Sequence, residues 1–197
     1  MKKRIGILGG SFDPVHNGHI LIARSFLKSK VIHQLLITPA PSPPHKRGLS
    51  ATFSHRYEML KLAFQDEKRI LISDIENNLP EPSYTLRTIE TLQQKHPDNL
   101  FYLCMGGDSL AGLTSWYKYQ QIMDKVSLLV AERPGVNHLE IAEHIKENAI
   151  FADHSPFEVS STFIREERTG HQRVENLPLP DKVAEYISNH HLYRRGN

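Results

Sequence analysis

Six short apolar runs, at residues 5–8, 34–38, 70–74, 100–105, 127–131 and 149–152, alternate along the chain with stretches of helical periodicity. Runs this short and continuous suit strands buried on both faces, and a helix between successive strands is the connection that parallel pairing requires. The helical patterns cover residues 54–65, 84–96, 117–124, 138–147, 161–168 and 181–191, besides one that follows the first run. The expected fold is therefore α/β: a Rossmann-like, doubly wound parallel sheet with helices on both faces and a small helical portion at about 155–197. With 197 residues and 39% hydrophobic content, the chain can fill one good core but not two comfortable ones, which predicts a single domain over 1–197. Ligands of such sheets sit beyond the carboxyl ends of the strands, so the connecting loops carry the functional information.

The first of those loops is the most specific. The string Gly9-Gly10-Ser11-Phe12-Asp13-Pro14-Val15-His16-Asn17-Gly18-His19 stands between the first apolar run and a helical pattern formed by Ile20, Leu21, Ala23, Phe26 and Leu27. Gly9 and Gly10 allow close approach of backbone to a polyphosphate, and Gly18 lets the chain enter the helix tightly. A helix N-terminus there offers N–H groups and a partial positive charge to an anion. His16 and His19, three residues apart, share a face once the helix has begun and can aim imidazole donors at one phosphate. Unlike a Walker loop, this string contains no Lys next to a Ser or Thr. An H-x-x-H pair is also compatible with metal ligation, although structural zinc usually draws on more Cys and His than this spacing supplies.

Four other places carry candidate chemistry. The stretch Pro39-Ala40-Pro41-Ser42-Pro43-Pro44-His45-Lys46-Arg47 is stiff and ends in cationic groups, which suits delivery of charge to a fixed point and equally a solvated basic loop. Met105-Gly106-Gly107-Asp108-Ser109 closes the fourth apolar run; its glycines permit close ligand approach, and Asp108 is placed to accept from ribose hydroxyls or to cap the next helix. Trp116, the single tryptophan, is either core or a flat face for a heteroaromatic ring. In Ser160-Ser161-Thr162-Phe163-Ile164-Arg165 the hydroxyls stand where a cap belongs and Arg165 lies one turn along, which makes a second anion site or a plain cap with a surface ion pair.

A formal net charge of +2 and the lack of any block of five basic residues give no footprint for nucleic acid. The one cysteine, Cys104, lies inside an apolar run and reads as a small core residue. No apolar stretch reaches 18 residues and no signal-peptide pattern opens the chain, so a cytoplasmic protein without a membrane partner is expected. A homo-oligomer is left open.

Taken together these motifs resemble the bacterial-type nicotinate-nucleotide adenylyltransferases, within the wider nucleotidyltransferase superfamily. The resemblance spans nearly the whole chain. It is carried by residues 9–19, Pro43-Pro44-His45-Lys46, Pro82-Ser83-Tyr84-Thr85, residues 106–110 with Trp116, Arg133-Pro134-Gly135, residues 160–165, and Leu179-Pro180 through Leu192-Tyr193. It implies an enzyme that joins nicotinate mononucleotide to the AMP part of ATP with Mg²⁺ present, in NAD synthesis. By matching positions, His16, His19 and Arg165 would be catalytic, and Gly9, Gly10, Ser11, Phe12, Gly18, Gly106, Asp108, Ser160, Ser161 and Thr162 would bind ATP. Trp116 would stack on the pyridine ring, Tyr84, Thr85 and Tyr117 would meet its carboxylate side, and His45, Lys46 and Arg133 would lie on the mononucleotide side. No protein metal ligand is implied. The nearest rivals are pantetheine-phosphate adenylyltransferase or another nucleotidyltransferase, which share the ATP-side motifs, and a nucleotide-binding regulatory module without turnover. Gly107, Glu132 and a slightly long segment at 170–180 depart from the family pattern.

Overall fold

A computed structural model of the chain describes residues 2–43, 48–132, 141–155, 157–169 and 173–194. Six strands, β1 Arg4–Gly10, β2 Gln34–Pro39, β3 Ile70–Ile72, β4 Leu100–Gly106, β5 Ser127–Glu132 and β6 Ala149–Asp153, pair in parallel throughout, in the order β3-β2-β1-β4-β5-β6. Side chains alternate across each strand, so both faces need cover. Ile7, Leu103, Met105, Leu128 and Val130 point to one face, while Leu8, Cys104 and Leu129 point to the other. This is why the strands read as unbroken apolar runs in the sequence.

Helices divide between the two faces. Helix α1 Asn17–Lys28 contributes Phe26 and α2 Phe53–Phe64 contributes Met59 to one core, to which Ile164 and Ile187 are added by α7 Ser161–Thr169 and α8 Asp181–Asn189. Helix α3 Thr85–Lys95 brings Ile89 to the other core, beside short helices α4 Gly107–Ala111, α5 Tyr119–Lys125 and α6 Glu143–Glu147. Local chemistry sets several boundaries. Thr52 caps α2 by accepting from the His55 N–H, and the Asn77 N–H donates to Asp74 O in a 3-10 turn after β3, so that strand stops two residues before the expected end. Lys118 takes a left-handed φ of 52°, which starts α5 two residues later than the periodicity predicts. Helix α4 was not anticipated. Of the helix expected over 138–147, residues 138–140 lie outside the described residues.

The chain winds outward from β1 through β2 to β3, then returns to β4 on the opposite side of β1. Adjacent loops at the carboxyl ends of β1 and β4 therefore diverge and leave a crevice between them, the place where ligands of such sheets bind.

Candidate active site

That crevice is a cleft of about 670 Å³ lined by residues of both diverging loops, among them Gly9, Gly10, Ser11, His19, Gly106 and Trp116. Its floor is the carboxyl end of β1, where Gly10 has no room for a side chain: a Cβ there would meet the Phe12 ring at 2.9 Å. The Phe12 ring is buried and meets His19 edge to face at 5.0 Å, so Phe12 offers the site backbone and support rather than a side chain in the cleft. Gly18 is needed because a Cβ would press on Val159 at 3.0 Å and on the His16 ring at 3.1 Å.

His16 and His19 are stacked with centroids 3.7 Å apart, and His16 is the N-cap of α1. The His16 backbone N–H donates to His19 Nδ1 at 3.2 Å. Nδ1 is thereby an acceptor, and the neutral ring must carry its proton on Nε2, as a donor for the cleft that His19 lines. His16 is buried behind it and does not line the cleft. The start of α1 also offers fewer open donors than the sequence reading assumed, because Asn17 N–H is taken by Pro178 O at 3.0 Å.

The distant hydroxyl and arginine segment converges on the same loop. Ser160 accepts from Phe163 N–H at 3.1 Å and so caps α7, while Ser161 Oγ donates to Pro14 O at 2.8 Å. Arg165 donates to Asp13 O at 2.7 Å through Nη1 and to Thr162 Oγ1 at 3.1 Å through Nη2. The capping reading is thus realised by Ser160, while Ser161 and Arg165 hold the backbone of the first loop.

At the other end of the cleft the lining turns aromatic. Trp116 is half-buried against the α3 and α5 core, and Tyr84 and Tyr117 stack at 4.3 Å. Thr85 is the first residue of α3, where the helix supplies no acceptor for its N–H, and it lines the cleft. Ser42 and Ser83 exchange hydrogen bonds, Ser42 N–H to Ser83 Oγ at 3.3 Å and Ser83 N–H to Ser42 O at 3.1 Å, which docks the proline-rich loop against this wall. His45, Lys46 and Arg133, expected on this side, lie outside the described residues. Asp108 sits one residue inside α4, exposed, with Gly106 at the cap position, so the capping alternative does not hold for it.

Sequence reasoning missed three groups. Glu76 is the one carboxylate among the described residues lining the cleft; Thr88 Oγ1 donates to its Oε1 at 3.0 Å. Burial raises its pKa, and Thr88 and Thr38 offset this in part, Thr38 without reaching hydrogen-bond geometry. Nothing in the pattern around Glu76 distinguishes it from a surface residue. Asp13 and Arg56 are also buried. For Arg56 a signal existed: it falls in phase with Met59, Leu60 and Phe64, on the apolar face of α2.

With this geometry in place, comparison with known proteins is informative. A cytidylyltransferase-like family model matches residues 7–167. The nicotinate-nucleotide adenylyltransferase of Bacillus subtilis (strain 168) is 38% identical over 192 residues, covering 97% of this chain and 98% of that protein. The chain belongs to this family. A probable nicotinate-nucleotide adenylyltransferase of Shewanella frigidimarina (strain NCIMB 400) is 34% identical and covers 97% of this chain. The fold is also that of the Plasmodium falciparum nicotinic acid mononucleotide adenylyltransferase complexed with NaAD, with a TM-score of 0.82 at 21% identity over 97% of each chain. The nicotinate-nucleotide adenylyltransferase family thus accounts for the α/β architecture, the expected six-stranded sheet and the nucleotidyltransferase motifs together. No helix among the described residues is long and apolar enough to cross a membrane.

Proposed function

We propose that this chain transfers the adenylyl group of ATP to nicotinate mononucleotide, releasing pyrophosphate and forming nicotinate adenine dinucleotide for NAD synthesis. The observation that carries this reading is one cleft with two unlike ends: a loop gripped by Arg165 and Ser161 beside His19, and an aromatic wall with the Thr85 N–H. ATP is taken at the first end and the pyridine mononucleotide at the second.

In the reaction a phosphate oxygen of the mononucleotide attacks the α-phosphorus of ATP, and the bond to the bridging oxygen of the β-phosphate breaks in line. The nucleophile is already anionic at neutral pH, so no covalent intermediate and no strong base are required. The obstacle is repulsion between two anions, which positioning and charge stabilisation overcome. His19 donates from Nε2 to the phosphate region as charge moves toward the leaving pyrophosphate. Arg165, held in place by Asp13 O and Thr162, has further N–H donors for the β and γ groups. ATP would enter with Mg²⁺, which would supply charge neutralisation on its phosphates and needs few protein ligands. Among the described residues no three His, Cys, Asp or Glu gather that could hold the ion independently. The acceptor's pyridine ring stacks on Trp116, and its carboxylate receives the N–H of Thr85 and that of Tyr117.

The test is product analysis: purified protein with MgATP and nicotinate mononucleotide should release pyrophosphate and give the dinucleotide. Pyrophosphate release with phosphopantetheine instead, and none with the mononucleotide, would overturn the reading.

A further inference from the structure

Arg56 is completely buried, yet among the described residues its guanidinium hydrogen-bonds no carboxylate. It donates instead to three backbone carbonyls, Nη1 to Ser11 O at 2.7 Å and Ala40 O at 2.9 Å, and Nε to Ala51 O at 3.2 Å. Asp13, 2% exposed, supplies the nearby negative charge and is itself held by Ser50 N–H at 2.7 Å, Ala51 N–H at 3.1 Å and the Tyr193 hydroxyl at 2.8 Å. Burial lowers the pKa of Arg56, and the field of Asp13 opposes this; burial and the same carboxylate push the Tyr193 phenol up, so it remains a donor.

We propose that Arg56, Asp13 and Tyr193 form a buried brace that orients the 9–19 loop for phosphate binding, which makes Arg56 and Tyr193 positioning residues of the ATP site. This rests on the functional reading above, in that the loop's ligand is taken to be the triphosphate. Burying charge is costly, and an apolar residue here would leave three carbonyls without their donor and the Asp13 carboxylate without its nearby opposite charge, so Arg56 also contributes to the fold. What an apolar residue cannot do is hold carbonyl oxygens in one direction. In a planar trans peptide the N–H points opposite to the C=O. Anchoring Ser11 O on Arg56 therefore turns the Phe12 N–H away from the guanidinium, and anchoring Pro14 O on Ser161 does the same for the Val15 N–H. Without Arg56 the Ser11 carbonyl is released to rotate, and its negative end can face the phosphates that Ser11 helps to surround.

The C-terminal segment closes the brace from behind. Tyr193 is 6% exposed and takes a left-handed φ of 59°, a conformation costly for a residue with a side chain. The same segment reaches the loop's helix at a second point, through Pro178 O and the Asn17 N–H. Tyr193, 180 positions from Asp13, thus shares in the support of the loop.

The experiment uses the full chain and separates positioning from folding. Equilibrium binding of MgATP without acceptor, KM for nicotinate mononucleotide, and thermal midpoints are measured for Tyr193→Phe and Arg56→Lys. Removing one hydrogen bond to a charged group should weaken MgATP about threefold to tenfold in Tyr193→Phe, and more in Arg56→Lys, while KM for the mononucleotide stays unchanged. A lower thermal midpoint with MgATP affinity unaltered, or equal losses for both substrates, overturns the proposal and leaves only a structural role. If Arg56→Lys does not fold, Tyr193→Phe decides alone. Wild-type protein that binds MgATP but makes no dinucleotide would sink the functional reading, and the affinities of the variants would still judge the brace. Wild-type protein that binds no MgATP would sink both.

Discussion

At the loop end of the cleft, Arg165 and Ser161 are tied to the backbone of the first loop by short bonds, to Asp13 O at 2.7 Å and to Pro14 O at 2.8 Å, and the buried Arg56 holds Ser11 O at 2.7 Å. At the aromatic end Trp116 packs against the core, but Tyr117 is 43% exposed and is held by its stack on Tyr84 and by Lys118 above its ring at 5.2 Å. The proposed function accounts for the difference by what each end would recognise. A triphosphate carries its charge at fixed spacing, and preorganised donors gain most against charge that develops during reaction. A flat ring offers faces and a carboxylate edge, for which stacking and one or two N–H groups suffice.

The largest effect that separates the ends is expected at His19. His19→Ala should lower kcat by about 10²–10³ with KM for the mononucleotide little changed and the fold intact, as for removal of one preorganised donor. Unchanged turnover in a folded variant would remove His19 from the chemistry. Second in size is the choice between acid and amide mononucleotides. Backbone N–H groups pair with a carboxylate but face the NH₂ of an amide, so kcat/KM should favour the acid by about 10- to 100-fold. Equal use of both would mean that the Thr85 side of the pocket is wrongly assigned. Third, Trp116→Ala should raise KM for the mononucleotide about tenfold through loss of stacking, and leave MgATP affinity alone. A matched loss of ATP affinity would show that the two ends are not independent.

The smallest effect concerns stability rather than rate. Burial raises the pKa of Glu76 above its unfolded value, so the folded protein holds that proton more tightly. Its contribution is intact below the ordinary glutamate pKa of about 4.3 and is lost as pH rises through the folded value. Glu76→Gln, which keeps an acceptor for Thr88, should therefore melt higher than wild type at pH 8, with the gap closing toward pH 4. A gap independent of pH would show that Glu76 does not titrate differently on folding.

How legible each part was depends on the range of the interactions involved. The strand at 5–8 and the helix after it could be read locally, because burial on both faces writes a continuous apolar run and one buried stripe writes a 3.6-residue period. The helix starts at His16 and Ser160 were also local, since a cap and a turn are made by neighbours in sequence. Arg56 shows the limit. It stood in phase with an apolar stripe, but whether an arginine there reaches solvent or backbone depends on Ser11 and Ala40, 45 and 16 residues away. Glu76 carried no local mark at all.

The sequence by itself determined that this chain folds as a parallel α/β sheet, and it marked the first loop and the Ser-Ser-Thr-x-Ile-Arg segment as places of candidate chemistry. Only the tertiary structure decided that the two segments meet, Ser161 on Pro14 O and Arg165 on Asp13 O, that Asn17 N–H is spent on Pro178, and that Tyr193 stands behind Asp13. The physical reason is that periodicity and capping energies arise within a few residues, whereas the direction of a carbonyl or a guanidinium is set by whatever the fold brings against it.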